Sequence, residues 1–172
     1  MPKLEFDRDD AQAAAEQWGF NCGPAALAAI LGKRPDDVRE ACQTAGFKKY
    51  LSPMMMKVAI AAAGGAIRLQ RRCIEDAGHS NFPDRGLARI QWTGPWTAPG
   101  MNPKWACTHT HWVATWRDPL DGRDGSTNLW VFDINGGVRG FVEWVDEIVP
   151  LIVAEIKLAD GGWYVANSWE VE

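Results

Sequence analysis

The spacing of hydrophobic positions divides the chain into a helical first third and a largely strand-like remainder. Before residue 64, apolar runs bounded by Gly, Pro and capping residues predict short helices at 8–17, 25–31, 36–42 and 54–63. After Ala66 the pattern changes, and it predicts strands at 67–70, 87–92, 109–117, 128–135 and 163–171. One apolar face at 138–149 predicts a further helix. N-terminal helices packed on a C-terminal antiparallel sheet are an α+β arrangement, which we expect as a single domain over residues 1–172.

The apolar helix at 25–31 is preceded by Asn21-Cys22-Gly23-Pro24, which places Cys22 at a helix N-terminus. Pro24 suits the first turn of a helix, where a missing N–H costs nothing. Unpaired N–H groups and the positive end of the helix dipole favour thiolate over thiol at such a position. The thiolate is the nucleophilic form of cysteine, so we interpret Cys22 as a candidate nucleophile. The alternative is a buried structural cysteine.

Composition and net charge make some classes of binding partner unfavourable. The chain is 47% hydrophobic and 23% charged, which is ordinary for a globular protein, but it contains ten tryptophans. Large aromatic surfaces are therefore expected in its core or in a cleft. A net charge of −4 offers no attractive field for nucleic acid or anionic lipid, so we expect neither nucleic acid nor a membrane as a partner.

The N-terminus and the four cysteines bear on the compartment. No apolar segment resembling a signal peptide follows Met1, and no stretch approaches membrane-spanning length. We therefore expect reduced thiols and a cytoplasmic location. No cofactor is expected, and the sequence does not indicate an oligomeric state.

A thiol nucleophile needs a base, and the chain has only three histidines. His79 lies in a loop-like stretch, whereas His111 begins the apolar run Trp112-Val113-Ala114. A base held on a rigid strand fits His111, which we take as the candidate base. A hydrogen-bonded core histidine is the alternative interpretation.

The strand that returns after the turn-rich segment 118–125 carries Asp133 and Asn135, two positions apart on one face. Either side chain can accept from the imidazole N–H and orient the ring. We favour Asp133 because a carboxylate also stabilises the imidazolium. Gln17, five positions before Cys22, is the candidate donor to an oxyanion beside the sulfur.

The chain order of Cys22, His111 and Asp133 resembles the papain-like cysteine peptidase superfamily. Asn21-Cys22-Gly23-Pro24-Ala25 and His111-Trp112-Val113 are most similar to its C39-like branch, which includes peptidases that cleave leader peptides at double-glycine sites. In that branch an aspartate after the hairpin is the third residue, usually followed by proline, whereas Ile134 follows Asp133 here.

A second resemblance is to the josephin deubiquitinases. They carry a glutamine five positions before the cysteine, as Gln17 is here, and an asparagine that corresponds to Asn135. Asn167, within Ala166-Asn167-Ser168-Trp169, resembles the Asn-Ser-Trp of papain itself, but it follows the histidine one element too late.

These resemblances imply a papain-like fold and a thiol hydrolase that cleaves a peptide or isopeptide bond in a peptide or protein substrate. Cys22 would attack, His111 would move the proton, Asp133 would orient the ring, and Gln17 with the Cys22 backbone N–H would hold the oxyanion. Transglutaminase-like acyl transfer could use the same residues. The segment 93–105, with two tryptophans and three prolines, is expected to wall the cleft.

Two further hypotheses stay open from the sequence. One is a catalytically inactive papain-fold binding module whose tryptophan-rich stretch 92–116 recognises a partner. The other is a metal site built from Cys73, His79, Cys107, His109 and His111, although the chain has no Cys-x-x-Cys pair.

Overall fold

A layer of short helices precedes the sheet in the computed structural model, which describes residues 2–72, 81–119 and 127–172. The helices of this layer are α1 (Arg8–Trp18), α2 (Cys22–Leu31), α3 (Pro35–Thr44) and α4 (Pro53–Ala62). Their ends follow local chemistry. Asp7 and Asp10 form a capping box at the start of α1, and Gly19 and Gly32 end α1 and α2 in the left-handed conformation. The four helices predicted before residue 64 are confirmed.

The strands form one antiparallel sheet in the order β1-β6-β2-β3-β4-β5. The strands are β1 (Ile67–Arg72), β2 (Arg85–Trp92), β3 (Thr110–Pro119), β4 (Thr127–Asp133), β5 (Gly137–Gly140) and β6 (Trp163–Val171). The last strand of the chain therefore lies inside the sheet, between β1 and β2. The α+β arrangement predicted from the sequence is confirmed.

The helix predicted at 138–149 is wrong at its beginning. Residues Gly137–Gly140 form β5, which pairs with β4 through Phe132 and Val138. Helical structure starts only afterwards, in three consecutive pieces named α6 (Phe141–Glu143), π1 (Trp144–Ile148) and α7 (Val149–Ala154). The apolar spacing that predicted the helix begins at Phe141, and a short strand before it leaves no separate periodic signal.

Each face of the sheet buries its own hydrophobic cluster. The first cluster lies between the sheet and the helices α1–α4, and it includes Leu27, Trp112 and Phe132. The second lies on the opposite face, under α6, π1 and α7, and it includes Val113, Val131 and Trp144. Because side chains alternate along a strand, neighbouring residues of β3 and β4 belong to different clusters. This alternation decides which face His111 and Asp133 occupy.

The tryptophan-rich segment 93–105 folds back on the second cluster. It contains a 3-10 turn, Pro95–Thr97, and the short helix α5 (Pro103–Ala106). Trp96 is buried, and its ring stacks on His109 with centroids 3.6 Å apart. None of the helices in the described part of the chain has the length and apolar character that crossing a membrane requires.

Candidate active site

Cys22 is the first residue of α2, and its surroundings hold the helix N-terminus in place. The side chain of Asn21 caps the helix by accepting from the Gly23 N–H at 3.3 Å. The Asn21 amide also donates to the Lys49 carbonyl at 2.7 Å, which ties the cap to the chain before α4. Residues 23–30 of α2 are buried, whereas Cys22 is only partly buried, so it lies at an accessible end of a core helix.

His111 and Asp133 meet across β3 and β4. In the register that pairs Ala114 with Phe132, Asp133 lies opposite Val113, two residues from His111 on the same face. The Nε2 atom of His111 lies 2.9 Å from Oδ2 of Asp133, and their side chains are 8% and 0% exposed. The other ring nitrogen, Nδ1, is thus left for the Cys22 sulfur, which lines the same cavity as His111.

The Asp133 carboxylate has donors on both of its oxygens. Oδ2 accepts from His111 and from the Trp144 indole N–H at 3.0 Å. Oδ1 accepts from the Asn135 backbone N–H at 2.9 Å and from its side-chain amide at 3.0 Å. Burial by itself raises the pKa of the Asp133 carboxyl, but the His111 charge and these hydrogen bonds outweigh it, so the pKa is lowered. Asp133 is therefore an ionised, oriented partner for the imidazole.

Burial and the surrounding charges also have opposite effects on the pKa values of Cys22 and His111. Burial raises the pKa of the Cys22 thiol, but the charge and hydrogen bond of His111 and the Trp112 backbone N–H outweigh it, so the pKa lies below 9.0. Burial lowers the pKa of His111, yet Asp133 and Cys22 raise it well above 6.5. Both shifts favour a thiolate–imidazolium pair, the reactive state of a cysteine nucleophile.

Cys42 provides an internal comparison. It is fully buried among apolar side chains of the first cluster, and desolvation raises the pKa of its thiol to about 12. Cys107 is exposed, and it lies just after α5. Three cysteines of the described chain thus occupy three environments, and only Cys22 has an imidazole beside it.

Gln17 does not lie at the site. Its side chain accepts from Arg39 at 3.4 Å, and it lines a separate cavity next to α3. The position five residues before the cysteine is thus not the one that faces the sulfur, because α1 presents another face to it. That face carries Arg8, Ala11, Gln12 and Ala15, at helical spacing, and all four line a cavity of about 510 Å³ with Cys22 and His111.

Gln12 is therefore the glutamine that shares a cavity with the sulfur, and sequence reasoning missed it. One of its amide N–H groups donates to Glu16 at 2.7 Å, which leaves the second for a ligand. The 8-11-12-15 spacing was visible in the sequence. Only the packing of α1 shows that this face meets Cys22.

Other candidates from the sequence lie elsewhere. Asn135 supports Asp133 rather than bonding to His111, and Asn167 pairs with Arg89 and Arg72 in the sheet. The segment 93–105 contributes no residue to the cavity that Cys22 lines, so the expectation that it walls the cleft is wrong for this cavity; its Lys104 lines a separate cavity with Arg89. Trp96 instead covers the second cluster, whereas Trp105 is exposed.

The residues of the metal hypothesis are separated or undescribed. Cys73 and His79 lie outside the described residues. The Nδ1 atom of His109 lies 2.9 Å from the Thr108 hydroxyl, and its ring stacks on Trp96. Within 2–72, 81–119 and 127–172, no group of three or more His, Cys, Asp or Glu side chains is arranged to hold a metal ion.

Comparison of the chain with family models, curated proteins and solved structures returned no match.

Proposed function

We propose that this protein is a thiol hydrolase, a cysteine peptidase of papain-like plan that cleaves a peptide or isopeptide bond. The observation that carries the proposal is that Cys22 and His111 line one cavity, with the His111 ring hydrogen-bonded on its other side to buried Asp133. A buried carboxylate orients the base, and the base meets a thiol at a helix N-terminus. This is the arrangement that nucleophilic catalysis requires.

In the first half-reaction, the Cys22 thiolate attacks the carbonyl carbon and the carbonyl π electrons move to oxygen. The tetrahedral intermediate collapses by breaking the C–N bond. His111 gives its Nδ1 proton to the departing nitrogen, which leaves as a neutral amine, and the acyl group stays on the sulfur as a thioester.

In the second half-reaction, neutral His111 takes a proton from water as the water oxygen attacks the thioester carbon. The C–S bond then breaks, the acid is released, and the thiolate–imidazolium pair is restored. Asp133 keeps its charge throughout, because its role is to hold the ring and stabilise the imidazolium.

Two donors are proposed for the oxyanion. The Cys22 backbone N–H is one, because the first N–H groups of a helix have no partner within it. The second is Gln12 in place of Gln17, since Gln12 shares the cavity with the sulfur. Losing one such donor typically lowers kcat by about 10²–10³.

The papain-like and C39-like resemblances remain part of the proposal, supported by the order of the triad residues and by a helix-borne cysteine facing a strand-borne histidine. A reducing, cytoplasmic setting is proposed as well. It is supported by the free thiols of Cys22, Cys42 and Cys107.

The test has two parts. The first measures alkylation of each cysteine against pH by mass spectrometry, in wild type and in His111→Ala. We expect Cys22 to react fast well below pH 9.0 in wild type, while Cys42 stays unreactive. His111→Ala should remove this fast reaction, because no cation then stabilises the thiolate.

The second part incubates the protein with a peptide library and identifies new termini. Cleavage by wild type and by the matched control Cys42→Ala, with none by Cys22→Ala, would support the hydrolase. An amine captured by the acyl group in place of water would reassign the protein to acyl transfer. A Cys22 that reacts no faster than Cys42 would overturn the nucleophile and leave a binding module.

A further inference from the structure

We propose that the substrate is acidic, with carboxylate side chains close to the bond that Cys22 attacks. This inference rests on the proposed function and adds the charge of the substrate to it. Its basis is that basic side chains line the groove that contains Cys22 and His111, and also a second cavity whose Arg89 pairs in the sheet with Trp112, the neighbour of His111.

The first flank is a groove beside α1. The cavity that contains Cys22 shares four lining residues, Arg8, Ala11, Ile134 and Asn135, with a neighbouring cavity of about 470 Å³. The two therefore form one continuous groove. Arg8 stands where they join, and Arg139 lines the far part, with one guanidinium N–H on the Val138 carbonyl at 3.2 Å. Among the described residues, no acidic side chain pairs with Arg8 or Arg139.

The second flank opens on the other side of α2. Leu51 packs so closely on Gly23 that a methyl group there would lie 3.3 Å from it. Its neighbours Tyr50 and Ser52 line a cavity of about 530 Å³ together with Arg89 and Lys104. Arg89 is paired in the sheet with Trp112, the residue after His111. This cavity thus lies next to the chain that packs on Gly23 and next to the sheet neighbour of His111.

The Arg89 guanidinium has an unmet hydrogen bond within the described part of the chain. Its Nε atom is buried without a partner, while Nη2 donates to the Thr110 hydroxyl at 3.2 Å. A buried N–H with no acceptor is costly, and a carboxylate is the acceptor that best fits the guanidinium. A substrate carboxylate in this cavity would complete the bonding of Arg89.

The local charge is opposite in sign to that of the whole molecule. The chain carries a net charge of −4. Yet the three cavities are lined by four Arg and Lys side chains, Arg8, Arg139, Arg89 and Lys104, besides His111, and by one carboxylate outside the triad, Asp7. That carboxylate is engaged as the cap of α1, where it accepts from the Asp10 N–H at 2.9 Å. A basic cleft in an acidic protein attracts anionic ligands and repels them elsewhere.

The test compares two reagents that differ in charge. Iodoacetate and iodoacetamide alkylate the same Cys22 thiolate, so the ratio of their rate constants reports the local potential and is insensitive to the fraction of thiolate. Removing one nearby unit charge should lower this ratio by about two- to fivefold at low salt. We expect that loss in Arg8→Gln and in Lys104→Gln, and a larger one in the double variant.

Arg68→Gln is the matched control. Its side chain is 71% exposed on β1 at the far edge of the sheet, so the ratio should stay at the wild-type value. Dipeptide vinyl sulfones that differ only in Glu versus Gln extend the test to a peptide. We expect the Glu probe to label Cys22 faster than the Gln probe. The variant that removes this preference identifies the flank that binds the glutamate side chain.

The outcomes separate the two proposals. If Cys22 reacts fast with both reagents but the ratio and the Glu preference are the same in wild type, Arg8→Gln and Lys104→Gln, the acidic substrate is excluded and the hydrolase stands. If Cys22 reacts with neither reagent, the nucleophile itself fails, and the substrate inference fails with it.

Discussion

At the scale of single residues, Asp133 determines the charge and the orientation of the His111 ring. The carboxylate is fully buried, and each of its oxygens accepts two hydrogen bonds. A buried ionised group with this many donors is stable as a charge, and it in turn holds the imidazolium next to it. The reactivity proposed for Cys22 therefore depends on a residue that we do not expect to touch the proposed substrate.

Separate substitutions of Asp133 and Asn135 show which of these two candidates orients the His111 ring. In Asp133→Asn the negative charge is lost, so the pKa of His111 should fall and alkylation of Cys22 near neutral pH should slow by roughly tenfold or more. In Asn135→Ala the backbone N–H still bonds to Asp133, and we expect a change of less than about threefold. An equal loss in both variants would contradict this assignment.

Trp144 provides a finer test of the same carboxylate. Its indole N–H is one of the two donors to Oδ2, and Trp144→Phe removes that bond while keeping an aromatic ring in the second cluster. With one donor fewer, Asp133 attracts the imidazolium proton more strongly, so the pKa of His111 should rise. The measurement is the titration of His111 by NMR. Trp163→Phe, in the same aromatic group, should leave it unchanged.

At the scale of elements, the order of the sheet depends on the insertion of β6 between β1 and β2. Gly86 in β2 lies against the backbone of Trp169 and Glu170, where a side chain would collide with the Trp169 carbonyl. No flexible side chain is available there to move aside. The close approach of β2 and β6 therefore needs glycine at this position.

Gly86→Ala should consequently cost more than about 3 kcal/mol of unfolding free energy, since the strands must separate to admit the methyl group. Gly100→Ala is the control. That glycine has φ +83° and open space around it, so only the backbone conformation opposes alanine and the cost should be about 1 kcal/mol. Urea denaturation measures both values. Similar costs in the two variants would argue against the close packing of β2 on β6.

At the scale of the whole molecule, the triad spans two layers. Cys22 belongs to the helical layer, whereas His111 and Asp133 project from the opposite face of the sheet at the ends of β3 and β4. The active geometry thus depends on how the helices dock on the sheet. Because both clusters share the same strands, we expect the chain to unfold as one unit.

Unfolding of the chain as one unit can be measured with two signals. Alkylation of Cys42 reports opening of the helical layer, since that thiol is fully buried in the first cluster. Tryptophan fluorescence reports both clusters together, since the first holds Trp112 and Trp169 and the second holds Trp92, Trp96 and Trp144. We expect both signals to change at the same urea concentration. Exposure of Cys42 at a clearly lower concentration would show two separate units.

The sequence by itself determined the local elements of this protein. Apolar periodicity and capping residues are short-range properties, so α1–α4 and most strands were predictable within a few residues. The candidates Cys22, His111 and Asp133 were likewise predictable, because each residue type stands at a recognisable place: a helix start, a strand start and a strand end.

Only the tertiary structure determined which faces of the helices and strands pack against each other. The choice of Gln12 over Gln17 depends on how α1 turns toward α2, and the position of β6 depends on contacts between residues far apart in the chain. The burial of Trp96 and the basic lining of the cleft depend on the same kind of packing. Such arrangements arise from long-range burial of apolar surface, which leaves no periodic signal in any single segment.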